Sequence, residues 1–164
     1  MDLRRKEVSK SPGDMWAELL RAESAFYRAR QQYVQSRGDS TEEIRQALQD
    51  PAQRGTALRL LRVLPEDVAR QVFADVLDAA SFASGDIVAA REVIRSMDRA
   101  WLHKSLPPQI DRVLNPQTAS DEEFRRLAEL LNDVAPDLLP SLIERARFNA
   151  NPDIQEVARD FSGR

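Results

Sequence analysis

The residues of this chain that could do chemistry are few and scattered. One histidine, His103, stands in Trp101-Leu102-His103-Lys104. A single imidazole excludes histidine-rich metal sites. General acid–base work by His103 would need a nucleophile brought from a distance, because none lies beside it in sequence. Near a helix end a cationic side chain is favoured by the exposed carbonyls, so a capping or surface role is the ordinary expectation. Glu23 shares a helical face with Leu19, Leu20, Tyr27, Arg30 and Val34. A carboxylate on such a face has to be paired, solvated or neutralised. Pairing with Arg30 or another base is the expected solution, with a partly exposed face and, after it, a ligand or metal role as the alternatives. The helix lacks the Glu-x-x-His pair used by di-iron bundles. Asp121-Glu122-Glu123 and Glu66-Asp67 fall in first helical turns, where the helix dipole accounts for them.

The most organised charges are Arg91, Arg95 and Arg99, four residues apart, followed by Lys104. On a helix they form a basic stripe beside the apolar face Ile87–Ala90–Ile94–Met97–Trp101. A solvated surface is the bland account of the stripe. Its functional reading is a partner-binding surface at Arg91, Arg95, Arg99, Trp101 and Lys104, facing an acidic protein ahead of a phosphate backbone. Asp75 and Asp78 join Glu66 on the outer side of their helix and would suit a basic partner. No phosphate-binding glycine loop, dinucleotide turn, His-Glu-x-x-His pair or Gly-x-Ser-x-Gly elbow occurs, which makes the familiar nucleotide, zinc-protease and hydrolase assignments unfavoured. Cysteine is absent, so disulfides, thiolate catalysis and cysteine-ligated zinc are excluded. No cofactor and no metal are expected.

These groups must be carried by helices. Ser11-Pro12-Gly13-Asp14 starts a long one, with Ser11 as N-cap and Pro12 at the first helical position. Trp16, Leu19, Leu20, Phe26, Tyr27, Tyr33 and Val34 recur at helical steps, and Arg37-Gly38 ends the element. This aromatic row is expected to pack across the remaining helices as an atypical terminal cap; the rival is an exposed interface, where Trp and Tyr are common anchors. Ser40 or Thr41 caps a second helix, with Glu43 near the capping-box position and Ile44, Ala47 and Leu48 inward. A third follows Asp50-Pro51, with Ala57, Leu58, Leu60, Leu61 and Leu64 facing the core. A fourth runs from Pro65 to about Phe82, and a fifth from the Ser84-Gly85-Asp86 corner through Trp101. Pro107-Pro108 ends that region and begins a short helix through Ile110, Val113 and Leu114. After the loop 115–120, Ser120 and Glu123 form a capping box before Phe124, Leu127, Leu130, Leu131 and Val134. A helix from Pro136 carries Leu138, Leu139, Leu142, Ile143 and Ala146, with Pro140 predicting a bend or a later start. The last follows Asn151-Pro152, with Ile154, Val157, Ala158 and Phe161 inward.

At 164 residues and 18.6 kDa the chain is large enough for a core without staples. Residues 1–11 and 162–164 are expected to be flexible, and 12–161 to form a single all-helical domain. Five glycines and few β-branched residues favour helix over strand. The opening residues have no signal-peptide pattern, and no run of about 18 apolar residues marks a membrane span. With the lack of cysteine, these features point to a cytoplasmic protein. Net charge is −3, divided as +2 over residues 1–40 and −5 over the rest. That balance gives no general push toward nucleic acid.

A faint internal echo is present. Val68/Val72 and Leu138/Leu142 stand at one offset, and Asp86-Ile87…Ala90…Ile94 matches Asp153-Ile154…Val157…Phe161 at a similar one. Together with Asp50-Pro51, Leu64-Pro65-Glu66-Asp67-Val68, Asp86-Ile87-Val88 and Pro152-Asp153-Ile154, the stretch 41–161 resembles HEAT-like α-helical repeats. That resemblance implies antiparallel helix pairs stacked into a curved array, with Arg91 at the inner-helix arginine position and Ala158 at the equivalent place in the second copy. An irregular HEAT-like array and a multi-helix bundle both remain open. A non-enzymatic protein–protein binding module, adaptor or inhibitor-like, is the expected function. A toxin-neutralising immunity-type protein, a nucleic-acid-binding helical repeat and an enzyme with dispersed acidic residues are the alternatives. The pattern predicts seven to nine helices and no sheet of substance. Far-ultraviolet circular dichroism of the chain should be dominated by helix, and a dominant strand signal would reject this reading.

Overall fold

Small polar caps set half of the described helix starts in the computed structural model, which describes residues 11–36, 41–82, 85–114 and 119–162. Among these residues there are ten helices and no strand: α1 Pro12–Gln35, α2 Thr41–Gln49, α3 Pro51–Leu61, α4 Glu66–Gln71, α5 Phe73–Phe82, α6 Ile87–Arg95, α7 Arg99–Val113, α8 Asp121–Val134, α9 Leu139–Arg147 and α10 Pro152–Phe161. The chain divides into two compact units, residues 1–38 and 39–164. The expected ends at Arg37-Gly38 and 163–164, the Ser40 cap, Ser84 and the loop residues 115–118 lie outside the described residues, as do residues 1–10.

The first unit is described through α1. Ser11 accepts from the Asp14 N–H while Asp14 returns the bond, a complete capping box, and Pro12 opens the helix. None of its 24 residues is buried. Within this unit the aromatic row is largely exposed, with Trp16 at 62% and Leu19 at 56%. Glu23 is not paired with Arg30 as expected. Two helical turns separate them, and the Arg30 guanidinium lies over the Tyr27 ring, 4.7 Å from its centroid.

In the second unit, caps and prolines recur. Asp50 caps α3 through the Ala52 N–H, with Pro51 in the first turn, and Asn151 does the same for α10 with Pro152. Ser120 and Glu123 close the capping box foreseen for α8. Pro136 opens only a turn, and α9 takes the later start that Pro140 allows. Gly55 sits inside α3 where that helix approaches Asp86. A Cβ there would lie 3.2 Å from Asp86 Oδ1, so a side chain would crowd the corner.

Two expected helices are broken, which raises the number above nine. The stretch from Pro65 to Phe82 is interrupted at Val72, where φ is −110° and ψ 19°. The break lets both Val72 and Phe73 be buried, and Arg45 Nη2 donates to the Gln71 carbonyl beside it at 3.2 Å. The stretch from Ile87 through Trp101 stops at Arg95 and restarts at Arg99, because Asp98 accepts from the Trp101 N–H at 2.8 Å and acts as a new N-cap. Conversely, Pro107-Pro108 does not end a helix, since α7 runs through both. Both prolines are exposed. The carbonyls of His103 and Lys104, which lose their N–H partners, belong to half-exposed and exposed residues that water can reach. Burial of Leu102, Leu106 and Ile110 on the opposite side keeps the helix continuous.

The helices pack in layers. α2 packs on α3 and α5 on α6; α2 also meets α5, and α3 meets α6. α8 then packs against α5, α6, α9 and α10, and so joins the α5–α6 pair to the last two helices. Its Leu127, Ala128, Leu130 and Leu131 have no solvent exposure. Replacing Leu127 with alanine should lower the unfolding free energy by about 2–5 kcal/mol, as expected when a buried leucine leaves a cavity. Urea unfolding of the full chain measures this, and a loss under about 1 kcal/mol would show that α8 is not tightly packed.

Candidate functional site

The basic stripe does not lie on one helix. Arg91 and Arg95 belong to α6 and Arg99 to α7, with the Asp98-capped corner between them. The stripe nevertheless faces a matching acidic series, Glu129, Asp133 and Asp137, spaced four apart and displaced by a constant 38 positions. Arg91 Nη2 lies 3.9 Å from Glu129 and its Nη1 3.8 Å from Asp133. Arg95 pairs with Asp133 at close range. Arg99 Nη2 reaches Asp137 Oδ1 at 3.4 Å, and His103 Nε2 approaches Asp137 Oδ2 at 2.7 Å. The result is a ladder of opposite charges from the α6–α7 edge to α8 and the turn after it.

Exposure grades along this ladder. The Arg91 side chain is 15% exposed and also donates through Nε to the Ala80 carbonyl, so it is a structural tie. Arg95 is 46% exposed and Arg99 70%. Lys104, one position beyond His103, is exposed. His103 is not at a helix end as expected: because α7 continues through the prolines, it sits well inside that helix, on the Asp137 carboxylate.

Trp101 belongs to the corner beneath the ladder. Its ring meets Phe73 edge-on with centroids 4.9 Å apart, and the Arg70 guanidinium lies 5.1 Å from the ring centroid. Arg70 is in turn held by Glu66, whose Oε1 accepts from Nε at 2.9 Å and Nη2 at 2.6 Å. The same oxygen accepts from the Asp98 backbone N–H at 2.9 Å. One carboxylate therefore ties the start of α4 to the start of α7, and the two unforeseen helix breaks brace each other. The sequence hid Glu66 behind its ordinary first-turn position, which the helix dipole already explained. The acidic series of α8 was visible as spacing, but nothing local paired it with the stripe.

Away from the ladder, further Arg–carboxylate pairs join successive layers at comparable separations: Arg62–Glu92 at 2.8 Å, Arg112–Asp78 at 2.6 Å, Arg145–Asp111 at 2.6 Å and Arg125–Asp160 at 2.8 Å. Asp75 accepts from Gln49 at 3.0 Å and lies 3.7 Å from Arg45, so the acids expected to face a basic partner take internal ones. Surface openings of about 340 Å³ beside Leu48, Arg54, Asp75 and Phe82, and about 320 Å³ beside Pro140, Ile143, Arg147 and Phe161, complete the relief. Among the described residues no group of three or more His, Asp or Glu could hold a metal, and no helix is long and apolar enough to cross a membrane. Comparison with family models, curated proteins and solved structures yields no match for this chain.

The Asp98 N–H, then the Arg70 guanidinium, hold the Glu66 carboxyl below its ordinary pKa. The Ala52 N–H and the Gln53 amide do the same for Asp50. A carboxylate whose folded pKa is lowered stabilises the fold above its unfolded pKa, and that contribution is lost as pH falls through the folded value. Glu66→Gln should therefore lower the urea midpoint at neutral pH, with the gap to wild type closing on acidification. A gap that is unchanged at acidic pH would show that the carboxylate charge is not what ties the two corners.

Proposed function

We propose that this chain is a non-enzymatic protein-binding module, adaptor or inhibitor-like, whose second unit is an irregular HEAT-like array. Its partner is a protein that presents an acidic surface to the open end of the ladder. The array reading is supported by the α2–α3 and α5–α6 pairs, stacked so that α2 meets α5 and α3 meets α6, with α8 continuing the series. Cross-layer ion pairs at separations of 30 to 38 positions accompany that stacking.

The observation that carries the binding reading is the exposure gradient along the ladder. Arg91 is enclosed by α8 carboxylates, whereas Arg99 and Lys104 extend outward from a corner braced by Glu66, Arg70 and Trp101. A cation held on a rigid element can meet a carboxylate with little ordering cost. Charge on such a rim mainly sets association rate and salt dependence. Trp101 then supports the surface from beneath, through Phe73 and Arg70, and Arg91 and Arg95 hold the layers in register.

This division of roles decides the test. Reversing Arg91 or Arg95 would set like charges against Glu129 and Asp133 and disturb the fold. Arg99→Glu with Lys104→Glu leaves those ties intact and gives up only the solvent-exposed Arg99–Asp137 pair at the outward end. With a stoichiometric partner co-purified from the native cell, that double variant should keep its helicity and lose at least about tenfold in affinity, more at low salt. Unchanged affinity would remove this surface. Turnover in an unbiased substrate panel, abolished by His103→Ala, would overturn the binding assignment, and sequence-independent nucleic-acid binding abolished by the double variant would replace the protein partner.

A further inference from the structure

We infer that α1 is a homodimerisation helix that pairs antiparallel with α1 of a second copy of this chain. α1 presents a stripe of Trp16, Leu19, Leu20, Tyr27 and Val34, each between 39% and 62% exposed. Helices gain most of their stability in proteins by burying such a face, yet no residue of α1 is buried. Positions 16, 20, 23, 27, 30 and 34 alternate steps of four and three, the spacing of a two-stranded seam. Only two of those six positions are charged, and they carry opposite signs: Glu23 and Arg30.

Their placement selects the occupant. Within one helix they are about 10 Å apart along the axis, with Tyr27 between them, and Arg30 stacks on that ring. Glu23 has no ion-pair partner among the described residues. A parallel second copy in register would set Glu23 against the partner's Glu23 and Arg30 against the partner's Arg30. An antiparallel copy centred near residue 25 sets Trp16 beside the partner's Val34. It also brings Glu23 within reach of the partner's Arg30, and two-fold symmetry repeats the pair. A polar pair inside an otherwise apolar seam fixes register and orientation at some cost in stability. The stripe is thus self-complementary in charge.

Sedimentation velocity on the full chain tests this. Wild type should sediment as a dimer of the 18.6 kDa chain at micromolar concentration. Glu23→Arg and Arg30→Glu should each weaken dimerisation by about tenfold or more, because like charges then meet twice. An equimolar mixture of the two variants should recover a dimer, since each supplies the charge the other needs. The double variant E23R/R30E should recover a homodimer. Circular dichroism of each variant confirms that α1 stays helical. A wild type that remains monomeric, including one that binds lipid vesicles instead, would overturn the proposal. So would dimerisation insensitive to either reversal, or a failure of both the mixture and the double variant to restore it.

Discussion

Burial of one face of α8 is the interaction on which the second unit depends. Its helices are 6 to 15 residues long, a length at which an isolated helix is marginal in water. They persist because each contributes apolar side chains to a shared interior, and α8 joins the α5–α6 pair to α9 and α10 there. Fully burying a leucine is worth about 1.5–3 kcal/mol, and α8 contributes Leu127, Leu130 and Leu131 with no exposed surface. An exposed ion pair is worth only about 0–1 kcal/mol. The Arg–carboxylate pairs between layers therefore do not hold the array together. They specify which surfaces face one another, and the constant displacement of the α6–α7 ladder on α8 is the clearest case.

The two units differ in the kind of surface they offer. The second encloses most of its apolar residues, leaving Val63, Phe82, Val88 and Phe148 exposed, and carries arginines and carboxylates joined across layers. The first carries an apolar stripe with two unmatched charges along a single helix. Apolar exposure of that extent on one element is unusual for a surface with no partner. The two surfaces proposed for interaction therefore differ in chemistry: an apolar one in α1 and a cationic one at Arg99 and Lys104.

Most element starts were legible in the sequence, because caps act locally. Ser11-Pro12, Asp50-Pro51, Ser120…Glu123 and Asn151-Pro152 each place a helix within a residue of its observed start, and the inward faces of α8 and α10 follow from spacing alone. The breaks at Val72 and Ser96–Asp98 were not legible, since the apolar period runs through both without a proline or glycine to interrupt it. What breaks them is tertiary: burial of Val72 and Phe73 at one corner, and the Glu66 bond to the Asp98 N–H at the other. The continuous α7 reverses the lesson, because Pro107-Pro108 lies on an exposed side and long-range burial overrides a local stop signal. For the candidate site, the residues of the stripe were readable and their pairing was not. Four-residue spacing occurs in both Arg91–Arg95–Arg99 and Glu129–Asp133–Asp137, but only the fold brings the two series together.

The central claim, that α8 anchors the second unit by joining α5 and α6 to α9 and α10, is tested most directly by native-state hydrogen exchange of the full chain. If it holds, the amides of residues 127–131 exchange only through global unfolding and are the slowest of the second unit, while those of α2 and α10 open at lower free energy. Exchange of the α8 amides by local opening, with α2 or α10 still protected, would contradict it.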